Sequence, residues 1–520
     1  MSKKTRTEYS ILNVATGIGG YAINTIIGLI CRMVFTRTLA ADYLGINGLF
    51  TNILTVLSLA ELGIGSAIVY ALYKPLATDD KEKIASLVKF YGQCYRIIGI
   101  VVAVIGTAFI PFLNFIIHDP PNIDDNLYVI YCLYLFNTAS TYFFSYRSAL
   151  LQAAQKSYLV TGISYIVTIV ESVIQIVVLL TTHNYMVYLI ILIVGTFLYN
   201  IIISLVAKKE YPYIADKNIK PLSKGEKKSL FKNVKNLIVI KIAGMLVNHS
   251  DNLIITYFNG LISVGYASNY TLLITTLNSL LNQIFLGINA SVGNHNALEK
   301  VEKRYALFNC INLANFWLFG WAAIGMTVCS SDIVTVLFGE SYKLSIAIPF
   351  ALALNFYIVG MQNAVWTYKN TLGLFKYGRY LLFFTAGINI VLSIWLGQKW
   401  GLFGVYLATS IARLLTNAWY DPYAVFKYGL QQKFSKYLTK YIFYFILLFT
   451  VGSLCYWICQ QFAFSNFINM ILKLLVCIIV PNLIFFAVFF KTDEFRYLKQ
   501  IALRFFNKFI KKIKRQTGTK

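Results

Sequence analysis

The 520-residue chain is short of acid and of charge altogether: 21 Asp and Glu stand against 46 Lys and Arg, and only 13% of residues carry a charge. Soluble domains are about one-quarter charged, so a water-facing globular surface is excluded. Metal ligands are equally sparse. The four histidines and eight cysteines are scattered, and Cys455 and Cys459, one helical turn apart, have no His or Cys companion at zinc spacing. Packing is the expected role of the thiols, and no metal is expected. Neither a Ser/His/Asp set nor a metal-hydrolase set is present, so no catalytic residue is assigned. The Gly-x-Gly triplets at Gly17 and Gly63 open neither a βαβ unit nor a phosphate loop.

What fills the chain instead is apolar: 58% of residues are hydrophobic. A helix crossing ~30 Å of hydrocarbon needs roughly 20 apolar residues. About fourteen such stretches occur, near 11–35, 44–72, 86–113, 127–149, 158–181, 186–207, 233–257, 265–291, 306–330, 346–368, 380–397, 402–426, 441–461 and 467–490. Runs such as Ile190 to Leu205 are apolar on every face, whereas barrel strands alternate. The expected fold is therefore an all-α polytopic membrane protein.

Basic residues sort by side. Alternate gaps, beginning with the N-terminus, hold 37 of the 46 Lys and Arg, while the opposite gaps hold only Arg37, Lys343 and Lys399. The positive-inside rule then puts both termini in the cytoplasm, in agreement with an even span count. The net charge of +25 is spread over these loops, so topology accounts for it and no nucleic-acid partner is expected. The first apolar run is too long for a signal-peptide core and contains Arg32, so it reads as a retained first span. From Phe495 to Arg515, apolar residues at helical spacing alternate with Arg504, Lys508, Lys511, Lys512 and Lys514, the pattern of an amphipathic helix on anionic membrane lipids.

The polar stretch from Lys208 to Lys235 separates six spans from the next six. A shift of 220 residues aligns Asn13-Val14 with Asn233-Val234, Thr36 with Thr256, Gly45 with Gly265 and Thr51 with Thr271. Parallel repeats of six helices follow. The expected organisation is a six-helix lobe over 1–207, a cytoplasmic linker over 208–232, a second six-helix lobe over 233–428, an additional helix pair over 429–490 and a basic tail over 491–520. Two such lobes commonly hold substrate in a central cavity near the midplane and expose it alternately.

Charges inside spans are costly and usually face protein or a water-filled cavity. Arg32, Lys241 and Arg413 would make such a cavity cationic and suited to a diphosphate, Arg through its forked donors and Lys as a point charge. The structural alternative pairs Arg32 with Glu61 and Lys241 with Asp251. Glu61, Glu171 and Asp251 could equally couple transport to H+ or Na+. His249 beside Asp251 reads as an ordinary polar contact, and Lys89, Arg96 and Lys473 lie close enough to span ends to snorkel.

Three stretches carry a family resemblance: Arg32 through Leu39 (RMVFTRTL), Asp42 through Phe50 (DYLGINGLF) and Leu59 through Ile68 (LAELGIGSAI). With the six, six and two arrangement, they resemble the polysaccharide exporters of the multidrug/oligosaccharidyl-lipid/polysaccharide superfamily, Wzx-type flippases in particular. The resemblance implies alternating-access translocation of undecaprenyl-diphosphate-linked oligosaccharide across the bacterial cytoplasmic membrane, no cofactor, and the polysaccharide polymerase machinery as a further candidate partner. Arg32 and Glu61 fall within the family-like stretches; Lys241, Asp251 and Arg413 rest on membrane burial alone. The alternatives are a drug/cation antiporter, served by the membrane acids, and a lipid II flippase of the same superfamily. A membrane glycosyltransferase or polymerase would need a substantial outer catalytic loop, which the short outer gaps do not provide; the acids Asp119, Asp124 and Asp125 read as a short exposed loop. A passive scaffold would not need cations in a cavity.

Overall fold

The computed structural model describes residues 6–57, 71–230 and 250–500, apart from a few short internal gaps, together with Leu503. Glu61, Lys241, His249 and the basic tail beyond 503 lie outside the described residues. Among those described the chain is all helix and without strands. The principal helices are α1 (Arg6–Thr38), α2 (Ala41–Leu57), α3 (Lys81–Ala108), α4 (Leu127–Thr141), α5 (Ser157–Thr182), α6 (Tyr185–Glu210), α7 (Leu261–Leu298), α8 (Val301–Phe338), α9 (Ala347–Thr371), α10 (Leu381–Leu415), α11 (Asn417–Ala424), α12 (Phe434–Cys459) and α13 (Asn466–Phe489). Nine helical stretches among the described residues are long and apolar enough to cross a membrane. Their apolar side chains face outward: α5 exposes Ile166, Val170, Val173, Val177 and Leu180. That inverts the usual rule for soluble proteins and is what a hydrocarbon solvent requires.

Three of the described helix starts are capped by short polar side chains. Asp80 accepts from the Lys83 N–H at 3.0 Å, Asn126 from the Tyr128 N–H at 2.9 Å, and Asn184 from the Val187 N–H at 3.0 Å. Each satisfies a backbone donor that the first helical turn leaves open.

The chain divides into two compact units, Met1–Ser268 and Asn269–Lys520, with the division inside α7. In the first unit α1 runs along α5, α5 along α6, and α3 against α4. The start of α2 crosses the start of α7 through two glycines. A Cβ on Gly45 would overlap the Leu261 carbonyl oxygen, and one on Gly265 would lie 2.9 Å from the Ala41 carbonyl oxygen. The four residues are related in pairs by the 220-residue shift, so the contact is reciprocal. Thr36 and Thr256, another aligned pair, are both buried and bond back to their own helices, to Met33 O at 3.0 Å and Asn252 O at 2.8 Å.

The segment after α6 is docked onto α3. Ile214 and Leu222 are buried, Ser86 Oγ donates to Lys220 O at 2.7 Å, and Lys89 Nζ donates to Ile219 O at 3.0 Å. Ser223 and Glu226 form a capping box for the short helix at 224–228, and Glu226 also pairs with Lys83.

The second unit is built on α8, which packs against α9, α12 and α13. Phe316 stacks on Tyr444 with centroids 4.3 Å apart and meets Phe485 at 5.0 Å. Trp317 Nε1 donates to Asn482 Oδ1 at 2.7 Å and Trp321 Nε1 to Cys477 O at 2.9 Å, fastening α8 to α13. The α10 segment is two helices folded back on one another at Gly401, whose φ of 56° favours glycine. Thr385 and Thr416 hydroxyls lie 2.7 Å apart, although a straight helix would hold them about 46 Å apart.

The glycine crossing and the docked segment can each be probed. Gly45→Val should lower the thermal stability of the purified protein by about 1–3 kcal/mol, because a backbone oxygen cannot yield to the new side chain; Gly28→Ala, with open space around it, should not. Thermal unfolding followed by size-exclusion chromatography checks both. The bonds from Lys83 and Ser223 hold the Glu226 carboxyl at about 2, below its ordinary 4.5. Its contribution to docking is thus complete above pH 4.5 and lost as pH falls toward 2. Glu226→Gln should speed limited proteolysis around 211–228 at pH 7, and the wild type should approach the variant's rate only in acid.

Candidate functional site

Arg32 lies late in α1, half-buried, and its guanidinium donates to Ser268 Oγ on α7. Ser268 in turn donates to the Gly265 carbonyl at 2.6 Å, so the arginine is tied to the glycine crossing. One residue earlier, the Cys31 thiol meets Gln175 Oε1 on α5 at 3.7 Å, and Gln175 Nε2 donates to Tyr188 O on α6 at 3.3 Å. Glu171 is one turn before Gln175, and its carboxylate fills the space left open by Gly195; any side chain there would collide with it. Arg32 thus follows the residue that meets α5 and itself reaches to α7, while Glu171 lies one turn from that contact against α6.

A tyrosine cluster closes this region. Phe35 meets the rings of Tyr185 and Tyr188 edge-on at 5.9 and 5.2 Å, Tyr43 lies 4.5 Å from Tyr185, and the Tyr134 and Tyr185 hydroxyls are 3.1 Å apart. Tyr43 donates to Asp125 Oδ2 at 2.6 Å, and Asp42 accepts from the Asn122 N–H at 3.2 Å. The acidic segment expected as a short exposed loop is therefore fastened to the start of α2.

Arg413 belongs to the second unit. It is buried, in the last turn before Thr416, where the two arms of α10 meet. One turn earlier lies a polar seam in which Asn389 Nδ2 donates to Thr409 Oγ1 at 2.9 Å and to Ser393 Oγ at 3.3 Å. Asp251 is half-buried in the described helix 250–259.

Other buried charges were not legible as pairs. Lys473, expected near a span end, has a partner there: its ammonium meets both oxygens of Asp332 on α8 at 3.0 and 2.9 Å. Lys369 on α9 meets Asp421 on α11 at 2.6 Å, and Trp366 Nε1 donates to the same carboxylate at 3.3 Å. Cys477 also has a thiol neighbour, Cys329, at 3.6 Å. Two surface hollows lie among the described residues of the second unit. One is apolar, about 340 Å³, between α8, α9 and α12; the other, about 490 Å³, sets charged side chains such as His295, Lys303 and Glu494 beside a mostly apolar lining. Neither contains a residue singled out in the sequence as a site.

Outward apolar faces and paired interior charges define a multi-pass membrane protein. The chain belongs to the polysaccharide biosynthesis protein family, whose profile matches residues 11–289. Solved structures show the same fold. A lipid II flippase MurJ in an inward closed conformation superposes with a TM-score of 0.69 at 15% identity, covering 92% of this chain and 99% of that one. An inward-facing multidrug resistance MATE family transporter of the MOP superfamily gives 0.60 at 14% identity over 75% and 91% of the two chains. A point mutant of the Vibrio cholerae MATE transporter VcmN gives 0.53 at 12%, over 82% and 99%. No curated protein matches by sequence.

The Lys473–Asp332 pair supplies a test. Asp332→Asn alone should cost about 3–5 kcal/mol of stability, since it leaves a cation facing a neutral partner in a poorly solvated place. The double variant Asp332→Leu/Lys473→Leu should recover most of that loss. A double-mutant cycle on thermal unfolding in detergent reads the coupling.

Proposed function

We propose that the protein is a flippase that carries undecaprenyl-diphosphate-linked oligosaccharide across the bacterial cytoplasmic membrane by alternating access, supplying cell-surface polysaccharide synthesis. Membership of the polysaccharide biosynthesis family supports a lipid-linked saccharide as cargo, and the fold shared with a lipid II flippase supports translocation as the activity. The observation that carries the reading is Arg32. An arginine in a spanning helix, half-buried and directed by a neutral serine hydroxyl, brings a forked set of donors among the packed helices, and such a fork matches phosphate oxygens. Diphosphate is the anion common to this cargo class.

In this reading Arg413, and Lys241 beyond the described residues, are further candidates for binding a diphosphate head group, and Glu171, Asp251 and Glu61 are the candidates for coupling to H+ or Na+. Both termini are cytoplasmic, and the polymerase machinery is the partner that would receive the flipped product. The organic-cation antiporter is the second reading, favoured by the half-buried Glu171 carboxylate against Gly195.

The test is leaflet translocation of a fluorescent polyprenyl-diphosphate oligosaccharide in liposomes, with organic-cation uptake in parallel. Arg32→Gln should reduce glycolipid translocation about tenfold or more while the protein stays folded, and Arg32→Lys should recover part of it, since a charge-assisted bond is worth about 1.5–3 kcal/mol. Cation uptake without glycolipid movement, abolished by Glu171→Gln, would replace the proposal with the antiporter.

A further inference from the structure

The spanning helices of the first unit contain one cation whose surroundings differ from all those above. Arg96 is fifteen residues past the start of α3, exposed, with no hydrogen-bond or ion-pair partner among the described residues. Its neighbours along the outward face are Ile97, 63% exposed, and Ile100, 56% exposed, so this is a face turned to lipid. A charge there is costly unless its head reaches the interface or meets an anion.

The geometry brings the head toward the interface and sets it beside further cations. Lys89, Gln93 and Arg96 are spaced i, i+4 and i+7, which puts them on one stripe of α3, and all three are exposed. Lys89 Nζ marks the polar end, where it donates to the Ile219 carbonyl of the docked segment. Arg96 is about 10 Å deeper at 1.5 Å per residue. Helical side chains lean toward the helix N-terminus, here the Lys89 end, so the guanidinium reaches back toward the polar boundary. Lys227, whose ammonium is 5.6 Å from the Phe90 ring on the adjoining face, adds a further positive charge. The nearby acids are already engaged: Glu226 by Lys83 and Ser223, Glu82 by Lys220 at 2.9 Å.

We propose that the Lys89–Gln93–Arg96 stripe of α3 is a binding site for the head group of an anionic phospholipid of the inner leaflet. The phosphodiester lies between the Arg96 guanidinium and Lys89, Gln93 donates its amide to it, and the acyl chains run on along Ile100 and Val104, the latter 63% exposed. Free phosphate would use only the cationic half of this stripe; a phospholipid uses both halves. The site is separate from Arg32, and its occupancy can be read without any transport.

The experiment is native mass spectrometry of the delipidated full-length protein in detergent, titrated with phosphatidylglycerol or phosphatidylcholine. Wild type should hold phosphatidylglycerol the more tightly. Arg96→Gln should weaken phosphatidylglycerol about fivefold, the effect of one basic side chain at an anionic surface. Arg96→Lys should keep most of the affinity, and Lys300→Gln, the loss of one exposed charge in the second unit, should change nothing. Equal binding of the two lipids by wild type, wild-type affinity in Arg96→Gln, an equal loss in Lys300→Gln, or displacement of the lipid by millimolar inorganic phosphate would each overturn the site. Should Arg96→Gln fail to fold, Lys89→Gln carries the same expectation.

Discussion

Hydrocarbon accepts and donates no hydrogen bonds, and the placing of polar groups along the spanning helices answers to that. An unmet backbone or side-chain polar group in such a medium costs several kcal/mol, so polar side chains are turned back onto their own helix or matched across a helix contact. Thr36 and Thr256 take the first course, bonding to the carbonyls of the preceding turn. Arg32 with Ser268, Asn389 with Thr409, Lys369 with Asp421 and Lys473 with Asp332 take the second. The polar contacts then fix which helix turns face each other, something the apolar effect cannot do where lipid is as apolar as leucine.

Close packing is the complementary device. Helices gain nothing from expelling water here and must approach closely to gain dispersion contact. The Gly45 and Gly265 crossing does this with backbone against backbone, and it is reciprocal. Two residues four apart in one segment meet two residues four apart in another, and the 220-residue shift exchanges them. The crossing thus maps onto itself under the same shift that predicts parallel repeats. Gly360, where a Cβ would overlap the Phe319 ring, uses the same economy of space between α8 and α9 without any such symmetry.

How much of this was legible beforehand depended on whether the cause was local. The apolar spanning helices follow from length and composition. Partner identity was not local. Lys473 has the sequence context of a snorkelling residue near a span end, and its partner Asp332 is 141 residues away along the chain. Gln175 carried no signal as the link between Cys31 and Tyr188, because a glutamine in an apolar run reads only as a tolerated polar residue. Arg413 was legible as buried but not as a neighbour of a threonine and asparagine seam, since the fold-back at Gly401 depends on one positive φ in a stretch that reads as two ordinary spans. Of the site, the cations and acids were visible as types and depths; which of them meet was not.

Arg32 and Arg96 show one residue type put to two uses within the first unit. Arg32 is half-buried and reaches across to Ser268 on α7, so a hydroxyl and the glycine crossing behind it set its direction. A hydroxyl carries no charge, and it orients the guanidinium without itself cancelling the positive charge that an anionic cargo needs. Arg96 is exposed among isoleucines, where the surrounding lipid is the ready source of counter-charge. A protein proposed to move a lipid through itself while standing in lipids of like charge must keep the two populations apart. One arginine among the packed helices and another on the outer face, on different helices of the same unit, would on the proposed function separate a carried lipid from the lipid that merely surrounds the protein.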